Sequence, residues 1–123
     1  VGAAGNAWIN AAVYQTLVGV VDFGLSPQRA LEQPRFLPSQ RGGGGFGPPA
    51  AGGNGAAREF VIDIEDGFDP DVIARLKAMG YNFNVISLKG ELRMGYGAAI
   101  AIGGGKVTAG GDPRRSGTAG VVP

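Results

Sequence analysis

The feature that most limits the fold is a run of fourteen residues, 42–55, reading Gly-Gly-Gly-Gly-Phe-Gly-Pro-Pro-Ala-Ala-Gly-Gly-Asn-Gly. So few side chains cannot bury enough surface to offset the cost of ordering the backbone. The run reads as a flexible surface loop, taken as residues 42–57, that divides two structured parts. Glycine recurs at 95–120, and the whole chain holds 24 glycines and 8 prolines in 123 residues. There is no collagen-like period, so the excess is local punctuation and not a fibrous repeat.

The remaining sequence is patterned. Residues 7–23 place Ile9, Val13, Leu17 and Val20/Val21 at helical spacing, with Asn10, Tyr14 and Gln15 elsewhere on the wheel. The pattern predicts a helix buried along that apolar stripe, covered on most sides and stopped by Gly24. Ser26-Pro27 is an N-cap followed by proline at the first helical position, starting a short helix that ends by Pro34. Residues 58–64 alternate, with Phe60, Ile62 and Ile64 on one face and Glu59, Asp63 and Glu65 mostly on the other, which predicts a half-buried strand. Asp69-Pro70-Asp71 starts a helix with apolar positions Val72, Ile73, Leu76 and Met79, closed by Gly80. A strand over 81–88 follows. Residues 95–102 and 106–110 form a hairpin around Gly103-Gly104-Gly105. The predicted order is α, α, loop, β, α, β, β, β, a single α/β layer with one sheet face bare and packed on another segment of polypeptide.

Composition removes several functions. Neither cysteine nor histidine occurs, so disulfides, cysteine nucleophiles, Cys-based zinc sites and a Ser-His-Asp triad within these residues are excluded. The formal net charge of +1, with Arg114-Arg115 the only adjacent basic pair, argues against nucleic acid. No apolar run approaches the ~20 residues of a membrane span, and Val1 opens into Gly/Ala sequence with no basic leader region. A start at Val-Gly-Ala-Ala-Gly reads as a piece of a longer polypeptide.

Three motifs could carry chemistry. Gly42, Gly44 and Gly47 satisfy a dinucleotide-type glycine spacing, but they follow Pro-Ser-Gln-Arg and precede Pro48-Pro49. A phosphate-binding turn must instead leave a strand and open a helix. The acidic run Asp63, Glu65, Asp66, Asp69 and Asp71 lacks the ligand spacing of a calcium loop and reads as a solvated strand end plus a helix cap. Asp112-Pro113-Arg114-Arg115-Ser116-Gly117 reads as a turn carrying a salt bridge, with anion binding through arginine as the alternative.

Taken in order, three blocks resemble the γ-glutamyltransferase family. The first runs Gly2-Ala3-Ala4-Gly5-Asn6-Ala7-Trp8-Ile9 into the apolar helix, then Val21-Asp22-Phe23-Gly24-Leu25-Ser26-Pro27-Gln28-Arg29-Ala30, and closes with Gln33-Pro34-Arg35-Phe36, after which the family has a strand. The second is Glu65-Asp66-Gly67-Phe68-Asp69-Pro70-Asp71-Val72 through Leu76-Lys77-Ala78-Met79-Gly80-Tyr81. The third is Gly110-Gly111-Asp112-Pro113-Arg114-Arg115-Ser116-Gly117.

The resemblance implies an α+β fold, the αββα sandwich of N-terminal-nucleophile hydrolases, of which residues 1–123 are the C-terminal portion of the small catalytic subunit. Its self-cleaving precursor exposes a threonine that is both nucleophile and, through its own α-amine, base. That threonine lies upstream and is absent here. The resemblance further implies γ-glutamyl transfer or hydrolysis on glutathione-like substrates. It also implies that the partners are the rest of the small subunit and the large subunit and that no cofactor or metal is needed, and it favours an extracytoplasmic setting, periplasmic or secreted, with a cytoplasmic one left open. Gly5 and Asn6 match the family's glycine pair, whose backbone N–H groups form the oxyanion hole, although Asn6 departs from the pattern. Arg35, Asp112 and Arg114 are expected to be structural ion-pair partners. A hydrolysis-only acylase of β-lactam side-chain amides, and a non-catalytic interaction domain of the same fold, are the alternatives.

Overall fold

The computed structural model describes residues 1–5, 7–41, 59–86 and 95–120. The 42–57 stretch, residues 87–88 of the predicted strand and Asn6 lie outside the described residues. Among the described residues, six strands and three helices run in the order β1 (Gly2–Ala4), α1 (Trp8–Val21), α2 (Pro27–Glu32), β2 (Phe36–Arg41), β3 (Glu59–Glu65), α3 (Pro70–Ala78), β4 (Phe83–Ile86), β5 (Tyr96–Gly103) and β6 (Lys106–Gly111), followed by a 3₁₀ turn at Pro113–Arg115.

The strands form two three-stranded sheets, not the single layer that the sequence suggested. One sheet has the order β1-β5-β6, antiparallel throughout; the other has the order β2-β3-β4, with β2 antiparallel and β4 parallel to β3. Two strands escaped the sequence pattern for local reasons. β1 is Gly-Ala-Ala, with no periodicity to read. β2 contains Pro38, which is tolerated because β2 lies at a sheet edge.

Several boundary signals act as expected. The Ser26 hydroxyl accepts from the Arg29 N–H at 3.3 Å, and the Asp69 carboxylate accepts from the Asp71 N–H at 2.8 Å. In the hairpin, Gly103 pairs with Lys106, and Gly104 and Gly105 both take positive φ, as a two-residue turn of this hand requires.

Helices α1 and α2 cover one face of the β1-β5-β6 sheet, and the approach is close. A Cβ on Gly97 would lie 3.2 Å from the Leu31 side chain, and one on Gly110 would lie 2.6 Å from the Gln28 nitrogen. Gly97 and Ala99 therefore face the helices. Ala98, Ile100 and Ile102, alternating with them, point away, and together with Val107 they leave an exposed apolar face.

The predicted stripe of α1 is corrected. The residues facing the sheet and α2 are Trp8, Ala12, Thr16 and Gly19, while Ile9, Leu17 and Val21 are exposed. Tight packing selects the small residues: a Cβ on Gly19 would come within 3.0 Å of the Ala30 Cβ. In β3, Val61 and Ile64 are buried but Phe60 is exposed. Helix α3 crosses between the parallel strands β3 and β4 and buries no residue fully; Ile73 and Leu76 are half-buried, and Val72 and Met79 are exposed.

Candidate functional site

The turn from β1 into α1 carries the sequence-predicted site. Gly5 sits at φ +127, a conformation that side chains rarely adopt, and its carbonyl accepts the Trp8 N–H at 3.1 Å. A Cβ at Gly5 would lie 2.4 Å from the Cα of Gly95, so this position admits glycine on both steric and conformational grounds. Gly95 is constrained in turn: it has φ +69, and a Cβ there would meet the Trp8 Cβ at 3.0 Å. Sequence reasoning took Gly95 only as the first residue of a strand.

The N-terminus of α1 opens from this turn. Ala7 supplies no side-chain cap, and the first helical turn holds no acidic residue. The N–H groups of the first turn and the positive end of the helix dipole lie at this end of α1.

Behind the turn lies a buried cluster of two arginines and two carboxylates, formally neutral. The side chains of Arg35, Glu65, Asp112 and Arg114 are at most 4 % exposed. Arg35 Nη2 meets Asp112 Oδ2 at 2.7 Å, and Arg35 Nη1 donates to the Gly95 carbonyl at 3.0 Å. Arg114 Nε donates to Glu65 Oε1 at 2.6 Å, its Nη2 pairs with Glu65 Oε2, and its Nη1 reaches Asp112 Oδ1 at 3.1 Å. Arg114 also donates to the carbonyls of Leu31 (2.7 Å) and Gln33 (2.8 Å). Asp112 accepts the Gly97 N–H at 2.9 Å and the Arg114 N–H at 3.0 Å, while Glu65 accepts the Arg35 N–H at 2.7 Å. Burial of charge is sustainable only with this degree of pairing.

The electrostatics follow the geometry. Burial lowers the Arg35 guanidinium below the ordinary arginine value, helped by the like charge of Arg114 and opposed by Asp112. Burial acts to raise the Asp112 carboxyl, but Arg35 and the Arg114 N–H outweigh it and hold the carboxyl below the usual range. For Arg114, burial lowers and Glu65 raises; the net direction is upward.

Arg35, Asp112 and Arg114 are therefore structural ion-pair partners, as expected. Glu65 is a correction: it is fully buried, not part of a solvated strand end. The signal that it bonds inward was its place at the head of the second family-like block.

Two glutamines complete the scaffold. The Gln15 amide donates to the Phe36 carbonyl (2.8 Å) and accepts the Phe36 N–H (3.2 Å), capping the edge of β2. Gln28 does the same for Gly111 of β6, at 3.1 and 3.0 Å. Among the described residues, no group of three or more acidic, His or Cys side chains is placed to hold a metal ion. Nor is any helix there long and apolar enough to cross a membrane.

Comparison with solved structures shows the fold. A gamma-glutamyltranspeptidase from Pseudomonas nitroreducens, complexed with L-DON, matches with a TM-score of 0.68 and 24 % identity, covering 99 % of this chain and 54 % of that one. A cephalosporin acylase from Bacillus halodurans matches with a TM-score of 0.71 and 22 % identity, over 95 % of this chain and 18 % of the acylase. The Bacillus anthracis transpeptidase CapD matches with a TM-score of 0.67 and 18 % identity, over 98 % of this chain and 61 % of that one. The chain thus spans about half the length of the transpeptidase chain from Pseudomonas. No curated protein matches it. The mixed helix-and-sheet architecture is the one these transpeptidase and acylase structures share. The sequence model of gamma-glutamyltranspeptidase matches residues 1–122, and the chain belongs to that family.

Proposed function

We propose that this chain is the C-terminal portion of the small subunit of a γ-glutamyl transferase or hydrolase and supplies its oxyanion hole, while the nucleophile comes from polypeptide outside these residues. The observation that carries the reading is the Gly5 turn: a glycine at φ +127, pinned against Gly95, leading into a helix whose N-cap, Ala7, has no side-chain acceptor.

In this reading a threonine exposed by autoprocessing attacks the γ-glutamyl carbonyl carbon, and its own α-amine takes the hydroxyl proton. Negative charge develops on the carbonyl oxygen. The proposal assigns main-chain donors of the Gly5 turn to that oxygen, and such donors are worth about 2.7–4 kcal/mol each in acyl transfer. Collapse expels the amine, which takes up the proton, and leaves an acyl-threonine. Water or an acceptor amine then attacks the ester carbonyl and frees the threonine. No cofactor enters this sequence. The family favours an extracytoplasmic setting.

The test is turnover of γ-glutamyl-p-nitroanilide by the full-length processed protein, with N-terminal sequencing of the processed subunit. The expected new terminus is threonine. Gly5→Ala, which sets a Cβ 2.4 Å from the Gly95 backbone, is expected to displace the turn, lowering the melting temperature and lowering kcat about 10²–10³-fold in the protein that remains folded. A wild-type rate in that variant refutes the assignment of the turn.

The likeness to a cephalosporin acylase supports a second reading, in which the same apparatus hydrolyses β-lactam side-chain amides. Parallel assays with a γ-glutamyl anilide and an acylated cephalosporin discriminate the two. Absence of both activities in a protein that does not process itself would favour a non-catalytic interaction domain.

A further inference from the structure

The Asp112–Gly117 turn carries two arginines, and the buried cluster takes up one of them. Arg114 turns toward α2 and enters the cluster, where two guanidiniums balance two carboxylates. Arg115 turns the other way. Its guanidinium carbon lies 4.6 Å from the centre of the Tyr96 ring. Tyr96 alternates with Gly97 and Ala99, so it stands on the sheet face that α1 and α2 leave bare. Arg115 is exposed, and among the described residues no carboxylate pairs with it. Stacking on an aromatic ring holds a guanidinium in place and leaves its N–H edge open to a planar oxyanion.

The sheet topology brings this cation to the candidate site. β1 and β6 both run antiparallel to β5, so the end of β1, the start of β5 and the end of β6 share one end of the sheet. Tyr96 pairs with Ala4, the residue before Gly5, and follows Gly95, on which Gly5 packs. The 3₁₀ turn that presents Arg115 leaves that same end. It is fixed by the Arg115 and Gly117 N–H groups, which donate to the Asp112 carbonyl at 3.4 and 3.0 Å.

We propose that Arg115 binds a carboxylate on the amine side of the scissile amide, and so selects carboxylate-bearing amines as leaving groups and as acceptors. The inference rests on the functional reading above. In that reading the acyl group stays covalently held between two attacks, whereas the leaving amine departs to solvent and an acceptor arrives from it. An exposed cation at the same sheet end as the Gly5 turn suits the group that is exchanged. Attack by an acceptor amine retraces amine expulsion, so one cation serves both. An amino acid or short peptide carries the required carboxylate; a simple alkylamine does not.

The test uses the full-length processed protein and two donors with the same acyl group, γ-glutamyl-p-nitroanilide and γ-glutamyl-3-carboxy-4-nitroanilide. Only the second bears a carboxylate on the departing amine. The ratio of their kcat/KM values, carboxylated over neutral, does not depend on how much of the enzyme is folded. In Arg115→Gln this ratio is expected to fall about ten- to hundredfold from that of wild type, the loss of one charge-assisted hydrogen bond. Arg115→Lys should recover part of it. A ratio equal to that of wild type overturns the proposal: with both rates unchanged Arg115 contacts no substrate, and with both lowered alike it acts on the acyl side or in the scaffold. Failure of the wild-type protein to turn over either donor overturns the functional reading itself, and this inference with it.

Discussion

Asp112→Ala is the most informative single perturbation of this scaffold. It withdraws one carboxylate from four donors at once: Arg35 Nη2 (2.7 Å), the Gly97 N–H (2.9 Å), the Arg114 N–H (3.0 Å) and Arg114 Nη1 (3.1 Å). The cluster then holds two guanidiniums against the single Glu65 carboxylate, in a place that water does not reach. Among the described residues, the Arg35 guanidinium then keeps only the carbonyls of Gly95 and Leu31.

Stranding a charge in this way costs about 3–5 kcal/mol, set against about 5–15 kcal/mol for a whole domain. At roughly 2–4 °C per kcal/mol, the melting temperature of the full-length protein should fall by about 6–20 °C. The reasoning is sharpened by the double variant Arg35→Met/Asp112→Ala, which restores neutrality. Because the cost is that of an unpaired charge, the double should be less destabilised than the sum of the singles by at least about 1 kcal/mol. Urea denaturation of the four proteins closes the cycle. Additive singles, or an Asp112→Ala variant within about 0.5 kcal/mol of wild type, would refute the account of the cluster as mutually dependent charges.

Other expectations follow from single observations. The Thr16 hydroxyl is buried without a hydrogen-bond partner among the described residues, so Thr16→Val should hold or raise the melting temperature, by up to the ~1–3 kcal/mol of an unsatisfied polar group; a clear fall would mean the hydroxyl is bonded. The Asp112 carboxyl is held below its ordinary value, so its contribution is present above an unfolded pKa of about 4 and is lost as pH falls through the lower folded value. Thermal melts from about pH 5 to pH 3 should therefore slope less steeply in Asp112→Asn than in wild type. Gly110→Ala would drive a Cβ to 2.6 Å from the backbone of α2 and should cost about 1–3 kcal/mol, read by urea denaturation. Expressed alone, these 123 residues should show no γ-glutamyl-p-nitroanilide turnover and should self-associate through Ile100 and Ile102. Ile102→Lys is expected to reduce light scattering, and sharp monomeric melting of the wild-type chain would contradict the exposed sheet face.

What could be read from the sequence was local. The starts of α2 and α3 and the glycine hairpin are written in caps, prolines and glycines that act within a few residues, and each was placed within two positions. What could not be read was which way an element faces. In α1 both rows were plausible, and the larger residues suggested the wrong one. The approach of α2 decides the matter, because at the distance set by Gly19 and Ala30 there is room for Ala12 and Thr16 but not for Leu17. Glu65 was misplaced for a related reason. Strand alternation puts it with Asp63, but the guanidinium that makes its burial tolerable comes from Arg114, 49 residues later, and no local rule connects them.

That distance also explains why the family resemblance was informative when each of its blocks was weak. Arg35 closes the first block, Glu65 opens the second, and Asp112 and Arg114 form the heart of the third. In the fold these four side chains meet at one buried point. Losing any one charge strands another, so the blocks are linked by electrostatics and not by sequence proximity. The cluster also touches the candidate site: Arg35 holds the Gly95 carbonyl, Gly95 packs on Gly5, and Gly5 sets the entry to α1. A signature spread over three distant segments is therefore what a single neutral ion cluster requires when it also holds the Gly95 carbonyl beside the Gly5 turn.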